Sequence, residues 1–265
     1  GRVSDSEVVS GIPGSPQDHH GAPYAMTEEF GAVYRLHSLM PDEFSFRSLA
    51  DDSAIRDANL TEVAGPGARA LYDDVSFEDT VYSLATSNPG ALVLNNFPET
   101  LRRIDKKPEE NIFLDLAAVD ILRDRERGIP RYKAFREAIG AKPPESFADI
   151  TTDAVWQKKL QDVYGTVDKV DLLTGTLAEA KSDNQPPRFG FSDTAFRIFI
   201  LMASRRLKSD RFFTDDFRPE VYTEAGFRWV AENGFRDVVL RHCPALAESM
   251  ADTRNPFFPW KRAER

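Results

Sequence analysis

Apolar residues recur at helical spacing along most of this chain, and period-2 alternation is almost absent. Segments patterned at 3.6 residues per turn each bury one stripe, so the chain is expected to pack helix on helix. The spacing predicts helices over residues 28–40, 76–87, 111–127, 132–139, 152–164, 170–180, 193–208, 223–233 and 235–242. Thr27 is placed to cap the first, with Glu28 and Glu29 opposing its dipole and Pro41 stopping it. The second ends at the turn Asn88-Pro89-Gly90. In NIFLDLAAVDILRDRERG the apolar positions 112, 113, 116, 119, 121 and 122 form the expected buried stripe, closed by Gly128 and Pro130. Residues 1–26, rich in Gly, Pro, Ser and Asp, read as loop. The fold class is all-α, with residues 27–265 helical and residues 1–265 forming one domain.

The chain has 265 residues, enough to enclose a cofactor, with 41% hydrophobic and 29% charged residues. A net charge of −9 argues against a nucleic-acid backbone or an anionic membrane as the main partner. A lone cysteine, Cys243, excludes an internal disulfide and a thiolate cluster. The longest apolar run, Ile198 to Ala203, is far too short to span a bilayer. No signal-peptide pattern opens the chain. It begins with Gly1 rather than Met, so an N-terminus that is cut or incomplete is expected. The expected location is intracellular, soluble or peripheral at a membrane.

Chemistry-bearing residues are few. In EEFGAVYRLHSLMPDEF, Tyr34 and His37 stand three apart, which on a continuous helix puts both on one face. Spacing alone fits an ordinary hydrogen-bonded histidine better than an axial haem ligand, which needs a partner for its second nitrogen. His19 and His20 beside Asp18 are adjacent in a polar loop and diverge, and His242 ends a helix, so neither makes a metal site. Asp120 lies inside an apolar stripe, where a carboxylate needs a partner such as an imidazole N–H. In RDRERGIPRYKAFR, Arg123 follows that stripe closely enough to point toward the core, and the arginines alternate with acids as in a buried ion network. FSDTAFRIFILMASRRLKSDRFF reads either as a core helix with charges at its exit or as an apolar channel wall with a guanidinium for a carboxylate.

Together these stretches resemble the peroxidase–cyclooxygenase superfamily of haem proteins, and within it the plant-type fatty-acid α-dioxygenases. EEFGAVYRLHSLMPDEF is similar to that family's proximal-histidine helix, RDRERGIPRYKAFR to its arginine-rich block, and FGFSDTAFRIFILMASRRLKSDRFF, VYTEAGFRWV and RHCPAL to its C-terminal helices in order. The resemblance implies a haem peroxidase-like helical domain of the animal peroxidase and cyclooxygenase type, here mostly its C-terminal half. It implies haem b, with His37 as proximal iron ligand, Tyr34 as radical-forming tyrosine, Asp120 supporting the histidine and Arg123 near a haem propionate. Arg205 or Arg206 would meet a fatty-acid carboxylate, Arg205 being preferred. The family's distal histidine belongs upstream of this chain, so the upstream half is expected to be needed. Arg197, inside AFRIFILMA, departs from the pattern and suggests a narrower or more polar channel.

The activity implied is addition of O2 at the 2-position of a fatty acid, using H2O2 and a tyrosyl radical, to give a 2-hydroperoxy acid. Two alternatives stay open: a haem peroxidase oxidising small donors, with Tyr34 merely packed, or a non-catalytic haem-binding remnant. No nucleic-acid partner is expected, and a transient lipid-surface contact is left open.

Overall fold

A computed structural model describes residues 27–181, 189–209 and 216–264, so residues 1–26, expected as loop, with His19 and His20, lie outside the described residues. Contacts divide the chain into two compact units, Gly1–Leu39 with Ala91–Phe217, and Met40–Gly90 with Arg218–Arg265. The described residues are mainly helical, as the pattern requires.

In the first unit, α1 (Glu28–Val33) starts at Thr27, whose hydroxyl accepts from the Phe30 N–H. It stops after two turns rather than running to Pro41. Tyr34 caps it at φ −91°, ψ 45°, and a 3-10 turn follows at His37–Leu39. After α2 (Glu99–Arg102), strands β1 (Ile104–Lys107) and β2 (Ile112–Leu114) pair antiparallel. Next comes α3 (Leu116–Glu126), N-capped by Asp115. Ile112 and Phe113 therefore lie on a strand rather than a helix, and they and Leu122 are exposed, while Asp120 and Asp124 are buried. The most buried positions of α3 are carboxylates, while Leu116, Val119 and Ile121 of the expected stripe are half-buried.

Helices α4 (Tyr132–Ala138), α5 (Ala154–Tyr164), α6 (Leu172–Ala178) and α7 (Asp193–Ser209) follow close to their expected positions. Ser192 caps α7 through the Ala195 N–H. The unit's core joins Val33 of α1, Phe135 of α4, Leu160 of α5, Leu172 of α6 and Ile198 of α7. The arginine-rich block ties these helices through acids from elsewhere in the chain. Arg125 forks onto Asp171 at 2.9 and 2.6 Å, Arg131 pairs with the same carboxylate, and the Tyr164 hydroxyl donates to it at 3.0 Å. Arg136 and the Tyr132 hydroxyl both donate to Glu179, which also accepts from the Thr194 N–H at the start of α7. Burial pushes the Tyr132 phenol well above its ordinary range, with the Glu179 charge adding to it.

Gly175 lets α6 lie against α4: a Cβ there would fall 2.2 Å from Tyr132 Cγ. Because both residues are buried, neither can yield. We expect Gly175→Ala to cost about 3 kcal/mol, the upper end for overpacking, read as a lower urea midpoint at unchanged slope.

In the second unit, β3 (Glu43–Arg47) and β4 (Ala54–Asn59) form an antiparallel hairpin with Phe46 opposite Arg56 and a bulge before Arg47. Alternation does exist in EFSFR, but over five residues it is too short to stand out in a helical chain. Phe46 packs with Ala58, Leu71 and Val75 beneath α8 (Leu60–Val63) and α9 (Gly67–Leu71). α10 (Phe77–Thr86), capped by Ser76, brings Tyr82 against Cys243, Leu246, Met250 and Trp260. α11 (Pro219–Glu232) is broken at Thr223, φ 64°, the residue where the sequence starts this helix; α12 (Phe235–His242) completes the unit. At the tip of the hairpin, Asp52 adopts φ 56°, and Arg47 beside it holds its buried carboxyl below the usual carboxylate range. A cavity of about 670 Å³ in this unit is lined by residues including Asp79, Lys261 and Arg262, and by none of those singled out from the sequence.

Candidate functional site

The early end of α1 is what builds the site. On a continuous helix, side chains two apart point about 200° away from one another. Here Arg35 and His37 instead converge on one carboxylate. Arg35 Nε lies 3.5 Å from Asp120 Oδ1, and His37 Nδ1 lies 3.7 Å from Asp120 Oδ2. Tyr34 and His37 thus do not share a helical face, as the spacing suggested; one caps α1 and the other opens the 3-10 turn. Asp120 is only 1% exposed. At these separations Arg35 Nε, His37 Nδ1 and both Asp120 oxygens are buried without a hydrogen-bond partner. Such groups are close enough to attract but have not closed their bonds.

Nδ1 turned to a carboxylate leaves Nε2 as the open nitrogen of His37, whose side chain is 29% exposed and tilted against the Phe97 ring at 5.2 Å. A neutral imidazole oriented from behind by a carboxylate is the donor set of a histidine-ligated iron. Orphaned Nδ1 and Asp120 oxygens fit that group, because coordination at Nε2 makes Nδ1 a stronger donor. Among the described residues, no group of three or more His, Cys, Asp or Glu could hold a bare metal ion.

Tyr34 is half-exposed and joins a row of rings from α1 and α7. Its ring stacks on Phe30 at 5.0 Å and Phe199 at 5.8 Å, and Phe199 in turn on Phe191 at 5.8 Å and Phe196 at 6.2 Å. Phe189 closes edge-on against Phe196 at 4.5 Å. The row is a partly exposed apolar wall ending at a phenol.

The remaining sequence candidates fall outside this cluster. Arg123 is exposed rather than turned to the core, and the residue beside it that is buried is Asp124. Arg197 pairs with Asp193 at 2.9 Å and is 55% exposed, so it lies on the outer face of α7 and does not narrow a channel. Arg206 is exposed on α7; the Arg205 side chain lies outside the described residues. His242 is exposed in the last turn of α12. Sequence reasoning missed Arg35 and Asp124, although each has a signal: a cation two residues before His37, and a carboxylate one helical turn after Asp120.

A mainly helical chain with a histidine backed by a buried carboxylate is what a helical haem-protein fold provides. The chain belongs to the animal haem peroxidase family, whose description matches residues 8–255. Among curated relatives, it is 37% identical to a rice protein named alpha-dioxygenase PIOX, over 96% of this chain and 43% of the relative. Among solved structures, it is similar to the fatty acid alpha-dioxygenase of Arabidopsis thaliana, with a TM-score of 0.84, 35% identity, and coverage of 96% of this chain and 41% of that one. A tyrosine-to-phenylalanine variant of the Oryza sativa fatty acid alpha-dioxygenase, solved with palmitic acid, matches with a TM-score of 0.83 and 35% identity over 94% of this chain and 42% of that one. The chain thus spans less than half the length of these relatives. No helix among the described residues is long and apolar enough to cross a membrane.

Proposed function

We propose that this chain is the C-terminal part of a haem-dependent fatty-acid α-dioxygenase, acting on a long-chain fatty acid with O2. The observation that carries the reading is the placement of two groups on one short segment: His37 backed by buried Asp120, and Tyr34 at the end of an aromatic wall. The similarity to alpha-dioxygenases over nearly the whole chain supports it.

His37 would hold haem b through Nε2, and Asp120 would fix the ring through Nδ1. When bound, haem supplies, with H2O2, the oxidising equivalent that converts the Tyr34 phenol to a phenoxyl. The chain's own work is placement. Phe30, Phe199 and Phe196 would lie along an alkyl chain, and Arg205 or Arg206 on α7 would hold its carboxylate. Tyr34 Oη then takes one hydrogen from the carbon next to the carboxylate. O2 adds at that carbon, and return of the hydrogen from Tyr34 to the peroxyl gives the 2-hydroperoxy acid. Arg123 near a propionate remains part of this proposal, reached from its exposed position. The upstream half of the protein would supply the acid–base group for peroxide.

Oxygen uptake by the full-length, haem-loaded protein with palmitic acid tests the reading. Uptake with formation of the 2-hydroperoxy acid is expected; oxidation of small donors without it would leave a peroxidase. A second expectation concerns Asp120→Ala, which removes the negative partner of the imidazole. Haem is retained, and the iron's reduction potential rises in a spectroelectrochemical titration. An unaltered potential would mean that Asp120 does not act on the iron's ligand.

A further inference from the structure

We propose that Arg35 is a positioning residue that attenuates the action of Asp120 on His37, its guanidinium lying against Asp120 with the buried carboxylate of Asp124 one helical turn further along α3. The inference rests on the reading of His37 as the iron ligand. Its basis is a group of four side chains in the first unit. Asp120 divides its oxygens, one toward Arg35 Nε at 3.5 Å and the other toward His37 Nδ1 at 3.7 Å. Asp124 lies four residues on along α3, hence on the same face, and is 6% exposed, with Oδ2 lacking a hydrogen-bond partner.

Two carboxylates buried one turn apart repel, and a cation beside them is what makes both tolerable. Asp124 registers all three effects: burial pushes its carboxyl up, the Arg35 charge pulls it down, and Asp120 pushes it up again. Arg35 is itself mostly enclosed, its side chain 20% exposed, so its charge is poorly screened by water.

The consequence falls on His37. An anion facing Nδ1 pushes electron density into the ring and favours the more positively charged iron; a guanidinium on that anion's other oxygen offsets part of the push. Arg35 thus acts through Asp120 and touches neither substrate nor iron. The break in α1 after Val33 has a function in this view, because a continuous helix cannot present residues 35 and 37 to one carboxylate.

The test is the iron's reduction potential in the full-length, haem-loaded protein at a fixed pH. In Arg35→Gln, Asp120 is no longer offset, and the ratio of reduced to oxidised iron at a fixed applied potential falls about tenfold, equivalent to 59 mV for one electron. Asp124→Asn, nearly isosteric and expected to fold, removes the second anion near Arg35, leaves the guanidinium charge to act on Asp120 alone, and moves the potential upward. Arg35→Lys restores most of the wild-type value. Lower melting temperatures with unmoved potentials in both Arg35→Gln and Asp124→Asn would show a structural ion cluster only and overturn the proposal. If Arg35→Gln fails to fold, the opposite-signed shift in Asp124→Asn and near-wild-type potential in Arg35→Lys still decide it. His37→Ala is the control. A Soret spectrum unchanged in that variant overturns the ligand reading and this inference with it, whereas lost coordination there with unmoved potentials elsewhere overturns this inference alone.

Discussion

Tyr34→Phe in the full-length protein is expected to abolish fatty-acid oxygenation while leaving haem binding and peroxide-driven oxidation of a small reporter donor in place. The substitution deletes one hydroxyl from a half-exposed ring and keeps its stacking on Phe30 and Phe199, so stability should change by no more than about 0.5 kcal/mol. A phenyl ring cannot give or take a phenolic hydrogen, so transfer from the carbon beside the carboxylate has no acceptor. Reporter oxidation needs no such residue. Oxygen uptake and reporter turnover measured on one preparation separate the cases. Normal uptake by the variant would make Tyr34 a packing residue and move the protein to the peroxidase reading; parallel loss of both activities would indicate damage to the fold.

His37→Ala should remove the iron's protein ligand altogether. Among the described residues, His37 is the histidine that faces a buried carboxylate, while His242 is exposed at the end of α12 in the second unit. The expected result is loss of the histidine-bound Soret and visible signature after reconstitution, with free imidazole partly restoring it by entering the vacated space. The variant also leaves Asp120 with Arg35 as its remaining close partner at 3.5 Å, so a modest fall in melting temperature accompanies the spectral change. A spectrum identical to wild type would refute the assignment.

Much of the fold is legible along the chain. Helix α7 is apolar enough and long enough that its limits follow from periodicity. Thr27 is found as a cap because a hydroxyl before an acidic first turn satisfies free N–H groups locally. The hairpins escape because each strand is only three to six residues long, and such short alternation is swamped in a helical background. The arginine-rich block is recognisable as an ion network, but its acids, Asp171, Glu179 and Glu28, lie 43 to 99 residues away. No local window contains both partners.

The sequence by itself determines the helical class, the family likeness, and the few candidates proposed to carry chemistry: one histidine, one nearby tyrosine, and one carboxylate in an apolar setting. These are properties of residue type and short-range order, governed by hydrogen bonds and side-chain entropy within a turn or two. Tertiary structure alone decides that α1 ends at Val33, that α3 turns its carboxylates inward, and that Arg35 and His37 meet on Asp120. The reason is that a buried charge takes its partners from whatever the fold brings near, and the cost of leaving it unpaired outweighs the few tenths of a kcal/mol per residue that propensity offers a longer helix, about 0.7 at most for ordinary residues.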